Sequence, residues 1–594
     1  MINPRGTRRR LAFSVLAVFA IVAVFLVRLI DIQVVRADEL RASADERQVT
    51  EVTTYGTRGA IVDANGKVLA SSVDRFDVTA SPKNVNANGF TRSDTVDGKK
   101  VETKVTLSQA VGEISAITGV DAASLLTALT QDPESDFTYL VKGVKLDVFN
   151  QVKALRIPWV YNLPHPARSY PNGAIAGNLV GFVGTDGPQA GLEKAQDQCL
   201  KESDGTSFYE MSADGVRMPG SEIVEQPPVD GGTIRLTIDS DLNWFVQQVI
   251  AAQGIAIGAD WGTAMVVRVS DGQIVAAADW PSVDPNDPGA TDRGALGARL
   301  FSTPYEPGSI IKPATIASLL DAGKITPATQ LVVPGRYTTG LPAGSYIKDA
   351  WAHGDLRFTA TGVLMNSSNI GVAMLSTRLS AQARHDYLDA FGFGHNTGVD
   401  FFGESDGALK SVSELESDPI TNLTQQFGQG MSATTAQVAS MYQALGNDGV
   451  RIPLSLVAGC EWADGTVTQK PDTTGTRVVS ADAARTTVQM MEPMVTQGAL
   501  KKILTIPGYR VAAKTGTAEV FENGRYTSDR IVSVAGLVSA DHPEYAIVVS
   551  FVKPDTIKTS AAAAPAFNAI MKQVIKTFRI TPSTEPAPSL PLTW

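Results

Sequence analysis

The chain opens on a block of arginines followed by an unbroken apolar run. Arg5, Arg8, Arg9 and Arg10 precede residues 11–27, LAFSVLAVFAIVAVFLV. As a helix this run rises ~25 Å, a little short of a hydrocarbon core of ~30 Å. Arg28 can snorkel outward, which lets Leu29, Ile30 and Ile32 extend the span. The pattern predicts a cytoplasmic tail over 1–10, a single transmembrane anchor over 11–32, and the bulk of the chain outside, because arginine clusters stay cytoplasmic. A cleaved signal peptide fits less well. Its apolar stretch would be shorter, and the small residues Ala42-Ser43-Ala44 lie too far downstream for cleavage.

Beyond the anchor the pattern changes twice. Residues 35–228 are polar with short alternating runs such as Arg58-Gly59-Ala60-Ile61-Val62-Asp63, which predicts a mostly-β domain with a few helices, 107–117 and 122–129 among them. Residues 84–104 are poor in apolar side chains and predict a surface loop. Pro227, Pro228, Gly231 and Gly232 concentrate in 225–232, which predicts a linker. Residues 233–578 then alternate helical and strand segments: a helix over 239–251, strands over 262–269, 272–279, 509–515, 531–537 and 545–552, and a helix over 563–578. Strands at both ends of a domain with helices between imply a sheet assembled from distant sequence, an α+β, multidomain chain. The Pro/Ser/Thr-rich stretch 579–594 predicts a flexible tail.

Composition narrows the chemistry. Hydrophobic residues make up 43% and charged residues 19% of the 594, which is globular. The net charge of −10 offers no basic excess for nucleic acid. Cys199 and Cys460 are distant and in no CxxC pair, so a disulfide framework is not expected, and the two are read as free or buried rather than joined. The five histidines form no ligand pair and no Gly-Lys precedes Ser or Thr, so neither metal nor nucleotide cofactor is expected.

Three short boxes carry candidate chemistry. Ser-x-x-Lys occurs three times, at Ser309–Lys312, Ser345–Lys348 and Ser550–Lys553. Only Ser309 follows a turn, Tyr305-Glu306-Pro307-Gly308, and starts a helical pattern in which Lys312 lies one turn along the same face. A hydroxyl there can use its own unpaired amide for an oxyanion, and the helix dipole favours developing negative charge. Lys312 must be neutral to act as a base, which requires burial and hydrogen-bonding neighbours. Ser367-Ser368-Asn369 sits between two helical segments and can supply a hydroxyl to shuttle a proton and an amide to hold a substrate carbonyl. Lys514-Thr515-Gly516-Thr517 follows a strand: Lys514 and Gly516 face one way, Thr515 and Thr517 the other, with Gly516 allowing close approach of a substrate backbone. Taken singly, each box also reads as a helix cap, a polar connection or a hairpin turn. All three in this order form a recognised catalytic signature.

With these boxes the chain resembles the penicillin-binding proteins, class B, of the division type. The segments RGAIVDANGKVLA (58–70), RSYPNG (168–173), NLVGFVG (178–184), GLE (191–193), LTIDSDLN (236–243), FGQGMSATTAQ (427–437) and NDG (447–449) are similar to that family's motifs, so the resemblance spans nearly the whole chain. It implies a mostly-β pedestal or dimerisation domain over 35–228. It also implies a serine transpeptidase domain of the penicillin-binding/β-lactamase-like fold over 233–578, with a central antiparallel sheet flanked by helices. The implied activity is a peptidoglycan D,D-transpeptidase, which β-lactams would acylate at Ser309. Ser309 would be nucleophile, Lys312 its base, Ser367 the proton relay and Asn369 the substrate positioner. Lys514 with Thr515, Gly516 and Thr517 would bind the substrate carboxylate, and the amides of Ser309 and Thr517 would form the oxyanion hole. The chain lacks the acidic Glu-Asp-x-x-Phe-x-x-His box of class A members, so the glycosyltransferase is expected to be a separate membrane partner, alongside division proteins. Glu306 resembles division-type members, where elongation-type members carry Pro. The competing readings are an elongation-type transpeptidase, a D,D-carboxypeptidase and a non-catalytic β-lactam sensor or scaffold. The Gly-x-Ser-x-Gly match at Gly403–Gly407 lacks the apolar helix that a nucleophile elbow requires.

Overall fold

The computed structural model describes residues 4–37, 49–96, 99–164, 166–184, 186–210 and 220–594. They form two compact units, Met1–Thr57 with Glu202–Asp230, and Arg58–Lys201 with Gly231–Trp594. In the first, the apolar run forms one helix, Pro4–Ile30, continued by a wider turn, Asp31–Val35. Its stretch Ala12–Val35 is long and apolar enough to cross a membrane. The same unit holds a three-stranded antiparallel sheet of Val49–Thr54, Gly205–Glu210 and Ile223–Gln226. The expected linker at 225–232 therefore begins as strand.

In the second unit, helices Leu107–Thr118 and Ala122–Thr130 form close to where the apolar spacing places them. They are capped by Thr106 and Asp121 and pack Ala110, Ile114, Leu125 and Leu129 against the sheet of Thr138–Val144, Phe76–Ala80 and Val160–Pro164. The surface loop expected over 84–104 is instead an antiparallel ribbon, Phe90–Val96 with Lys99–Val105. Its Thr and Val residues favour extended backbone although few of its side chains are apolar.

One six-stranded sheet joins the two sequence halves. Its order is Val467–Thr468, Val457–Glu461, Thr233–Leu236, Ile61–Val62, Val68–Val73, Ala167–Ser169. The motif residues Arg58, Arg168 and Glu193 meet beside it, with the Glu193 carboxylate accepting from Arg58 Nε at 2.9 Å and Arg168 Nε at 2.7 Å. Asp63 likewise accepts from the hydroxyl of Ser240 at 2.6 Å, tying the pedestal turn to the catalytic domain's first helix. Here the reading of the cysteines is overturned: Cys199 and Cys460 are joined as a disulfide across 261 residues of sequence, with Cα atoms 6.2 Å apart. Gly231 and Gly232 belong to this junction. A Cβ at 232 would lie 2.7 Å from the Cys460 sulfur and one at 231 would lie 2.0 Å from the Leu200 carbonyl, so close packing rather than flexibility requires them.

The C-terminal domain is built on five antiparallel strands, β1 Trp261–Arg268, β2 Ile274–Trp280, β3 Val511–Glu522, β4 Arg525–Val538 and β5 Tyr545–Val552, in the order β2-β1-β5-β4-β3. Alternation divides their side chains: Ala264 and Val266 join the core with helices α1 (Ser240–Ile257) and α7 (Ala564–Phe578), while Met265 and Val267 join the core on the opposite face. That second face carries α2 (Lys312–Asp321), α3 (Ala360–Met365), α4 (Asn369–Ser376), α5 (Thr435–Gly446) and α6 (Ala481–Thr496). Burial on both faces makes these strands near-continuously apolar.

Residues 579–594, expected to be a flexible tail, are instead bound along this domain. Ile580 is buried, Ser583 N donates to the Gly508 carbonyl at 2.9 Å, and Thr359 N donates to the Leu592 carbonyl at 3.1 Å. The Pro/Ser composition disguised a segment whose backbone carbonyls find donors on the domain surface.

Candidate active site

The turn Tyr305–Gly308 feeds a short 3₁₀ turn, Gly308–Ile311, and then α2, with Pro313 in its first turn where the missing N–H costs little. Ser309 lies on the 3₁₀ turn, half-buried at the cleft, and Lys312 beneath it is fully buried. The loop between α3 and α4 carries Ser367, held in the left-handed region at φ +58°. Such a conformation is strained for a non-glycine residue and persists only where the surroundings enforce it. β3 lies at the sheet edge with Lys514 buried toward α2 and Thr515 and Thr517 more exposed.

Side chains from all three boxes meet. Lys312 Nζ donates to the Ser367 carbonyl at 2.5 Å and to Asn369 Oδ1 at 2.7 Å, and lies 3.3 Å from Ser367 Oγ. Lys514 Nζ lies 2.8 Å from the same Oγ and donates to the Thr515 carbonyl at 3.0 Å. One hydroxyl thus bridges two buried lysines. Burial lowers Lys312 far below the ordinary lysine range, helped by the nearby Lys514 charge and opposed by Asp349. Burial brings Lys514 down to about 7. Ser309 Oγ makes no hydrogen bond among the described residues.

Above the lysines, Ser309, Ser367, Asn369, Thr515, Gly516 and Thr517 line one cleft of about 200 Å³. Every residue singled out from the three boxes is therefore at the cleft or directly beneath it. Gly516 also has a packing role within the protein. A Cβ there would lie 2.9 Å from Ile310 Cγ2 and 3.3 Å from the Pro307 carbonyl, so the glycine lets β3 press against the turn carrying Ser309. The rival serines are elsewhere. Ser550 is buried within β5, bonded to Tyr305 and Ser533, and Ser405 sits in a loop with no helix before Val412. Glu306 ties the turn before Ser309 to its surroundings by accepting from Gly430 N and from the Tyr526 hydroxyl, both at 2.9 Å.

Sequence reasoning missed Trp351, which lines the cleft, and Asp349. The buried Asp349 carboxylate accepts from the Ser368 hydroxyl at 2.7 Å and from Ile370 N at 3.0 Å, and His353 Nε2 lies 3.0 Å away. It thus holds Ser368 and Ile370, the residues on either side of Asn369, yet it lies in an irregular segment with no motif to mark it. Asp349→Ala would leave a buried hydroxyl and amide unpaired, each costing roughly 1–3 kcal/mol. The expected result is at least a tenfold slower uptake of fluorescent penicillin, together with a lower thermal midpoint.

The sequence matches the penicillin-binding protein transpeptidase domain over residues 262–572 and the penicillin-binding protein dimerisation domain over 53–236. The chain belongs to the penicillin-binding proteins. It is 33% identical over 605 residues to the penicillin-binding protein PbpB of Mycolicibacterium smegmatis, covering 97% of this chain and 91% of that one. It is 31% identical to the peptidoglycan D,D-transpeptidase FtsI of Escherichia coli, covering 94% and 90%. Among solved structures, a peptidoglycan synthetase from Bifidobacterium adolescentis superposes with a TM-score of 0.71 at 28% identity, covering 92% of this chain and all of that one. Penicillin-binding protein 3 from Mycobacterium tuberculosis, in complex with aztreonam, gives 0.67 at 27%, covering 91% and 100%. The expected class B, division-type resemblance and the pedestal-plus-transpeptidase fold both hold for this penicillin-binding protein.

Proposed function

We propose that this protein is a serine-type peptidoglycan D,D-transpeptidase of septal wall synthesis in which Ser309 carries the acyl group. The observation that supports this most is the pair of buried lysines bridged by Ser367 beneath a serine at the cleft. A lysine kept neutral by burial can accept the Ser309 proton as Oγ attacks the penultimate D-Ala carbonyl of a stem peptide. Ser367, between Lys312 and Lys514, passes that proton to the departing D-Ala amine. The acyl-enzyme is then attacked by an amino group of a neighbouring strand, and the proton returns by the same route. The amides of Ser309 and Thr517 stabilise the oxyanion. Asn369 positions the acyl side chain, and Lys514, Thr515 and Thr517 hold the terminal carboxylate. A β-lactam enters by the same first step and remains on Ser309.

The N-terminal helix anchors the protein with its arginine-rich end in the cytoplasm and the pedestal and transpeptidase domains outside. A separate membrane glycosyltransferase supplies the glycan strands, in company with division proteins. The test is labelling of membranes with fluorescent penicillin. Ser309→Ala should abolish the label, and persistence of the label would remove Ser309 as nucleophile. With lipid-linked substrate and a partner polymerase, the parent protein should form cross-linked product, whereas D-Ala release alone would identify a carboxypeptidase.

A further inference from the structure

The bound tail touches the segments that feed two sides of the cleft. Near its start, Ser583 N donates to the Gly508 carbonyl, and Ser583 Oγ accepts from Arg510 N at 3.0 Å, immediately before β3 delivers Lys514. At its end, residues 590–594 lie along the segment that enters α3. Phe358 pairs with Thr593 in an antiparallel bridge, and Trp594 Nε1 donates to the Leu331 carbonyl at 3.3 Å. The Arg357 guanidinium lies 5.0 Å from the centre of the Trp594 ring.

The contact at Thr359 is the informative one. Thr359 is the N-cap of α3: its hydroxyl oxygen accepts from Gly362 N at 3.0 Å. The same hydroxyl donates its proton to the Pro591 carbonyl, and Thr359 N donates to the Leu592 carbonyl. The tail thereby fixes the rotation of the capping hydroxyl so that a lone pair faces the helix. Gly362 completes the seat, since a Cβ there would lie 1.9 Å from the Leu592 carbonyl oxygen. α3 is only two turns long and delivers Ser367, in its strained conformation, to both lysines.

We propose that residues 590–594 act as a strap whose seat on Thr359 and Gly362 positions Ser367 and Asn369 for acylation of Ser309. None of the strap residues lines the cleft, so they are positioning residues, and the inference rests on the roles given above to Ser309 and Ser367. A displacement of catalytic groups by about 1 Å can cost ~100-fold in rate, so loosening the strap should act mainly on the chemical step.

The experiment measures penicillin acylation of the full chain and separates the limiting acylation rate from the concentration giving half of it. Deleting residues 590–594 should lower the limiting rate about tenfold or more with the half-saturating concentration within about twofold, and a synthetic peptide of residues 586–594 should restore the rate. Gly362→Ala keeps the tail but blocks its seat. Ordinary helix propensity would make that change stabilising, whereas the strap predicts the same loss of limiting rate. If the deletion variant does not fold, Gly362→Ala and Trp594→Ala decide, with Trp594→Phe expected to retain part of the rate through its ring. Limiting rates within twofold of the parent in the folded variants would overturn the strap. Ser309→Ala, run in parallel, isolates the other failure: if it still labels, the catalytic assignment falls, and if it does not label while the strap variants are normal, only the strap falls.

Discussion

Lys312→Met should slow acylation of Ser309 by penicillin about 10²–10⁴-fold, the range for loss of a positioned general base, while leaving the cleft in place. Among the described residues Lys312 has no carboxylate partner within bonding distance, and its three hydrogen bonds are to a carbonyl, a hydroxyl and an amide oxygen. Such partners accept hydrogen bonds but supply no compensating charge, so burial decides its protonation state. Measured against pH, the acylation efficiency of the parent should fall as pH rises through about 7. That is where Lys514 gives up the proton with which it holds the substrate carboxylate and keeps Lys312 in its neutral form. The limb belongs to the coupled pair rather than to either lysine alone. The linkage has a definite sign. Because burial lowers the folded Lys514 value to about 7, the unfolded chain binds the extra proton from there up to the ordinary lysine range, and stability rises with pH across that window. Lys514→Met should reduce this rise in a thermal scan, with Lys312, lowered further still, supplying the remainder. A pH-independent acylation efficiency between 6 and 8 would contradict the whole electrostatic scheme.

The second large effect concerns the disulfide. Replacing Cys199 and Cys460 by alanine should destabilise the larger unit by about 2–4 kcal/mol, because the bond closes a loop of 261 residues in the unfolded chain. Both cysteines are buried, so reductant should have little effect on the native protein and should lower the thermal midpoint only as the chain opens. Penicillin labelling of the folded Cys-free variant should continue, since the bond lies outside the cleft residues. A thermal midpoint unchanged by the double substitution would show that the six-stranded junction needs no covalent support.

How much could be read in advance followed the range of the interactions. Ser309 and Lys312 were legible because a turn, a proline and apolar spacing are all local signals that fix which of three Ser-x-x-Lys matches lies at a helix start. The strands of the central sheet were legible because burial on both faces made them continuous apolar runs, as at β5. The Cys199–Cys460 pairing was not legible, since nothing local marks two residues so far apart as neighbours. Asp349 was hidden for the same reason: its value lies in the Ser368 hydroxyl and Ile370 amide that the fold brings to it. At residues 579–594 composition misled, because proline and serine lower regular structure without preventing backbone carbonyls from docking. At Gly516 a glycine in a strand signals close approach, and the structure shows Ile310 of the protein itself among the approaching groups.

The six-stranded junction bears on how the protein is made. Its strand Ile61–Val62 pairs with Thr233–Leu236, which in turn pairs with Val457–Glu461. In the topology proposed above, a chain threaded across the membrane from its N-terminal end exposes the first of these long before the last arrives. Until then the early strands present open edges, the kind of surface that invites aggregation and proteolysis. Export and maturation are therefore coupled: the pedestal cannot close before most of the transpeptidase sequence has emerged, and a translocation stall between residues 240 and 450 should yield fragments that are rapidly degraded instead of a stable membrane-bound stump.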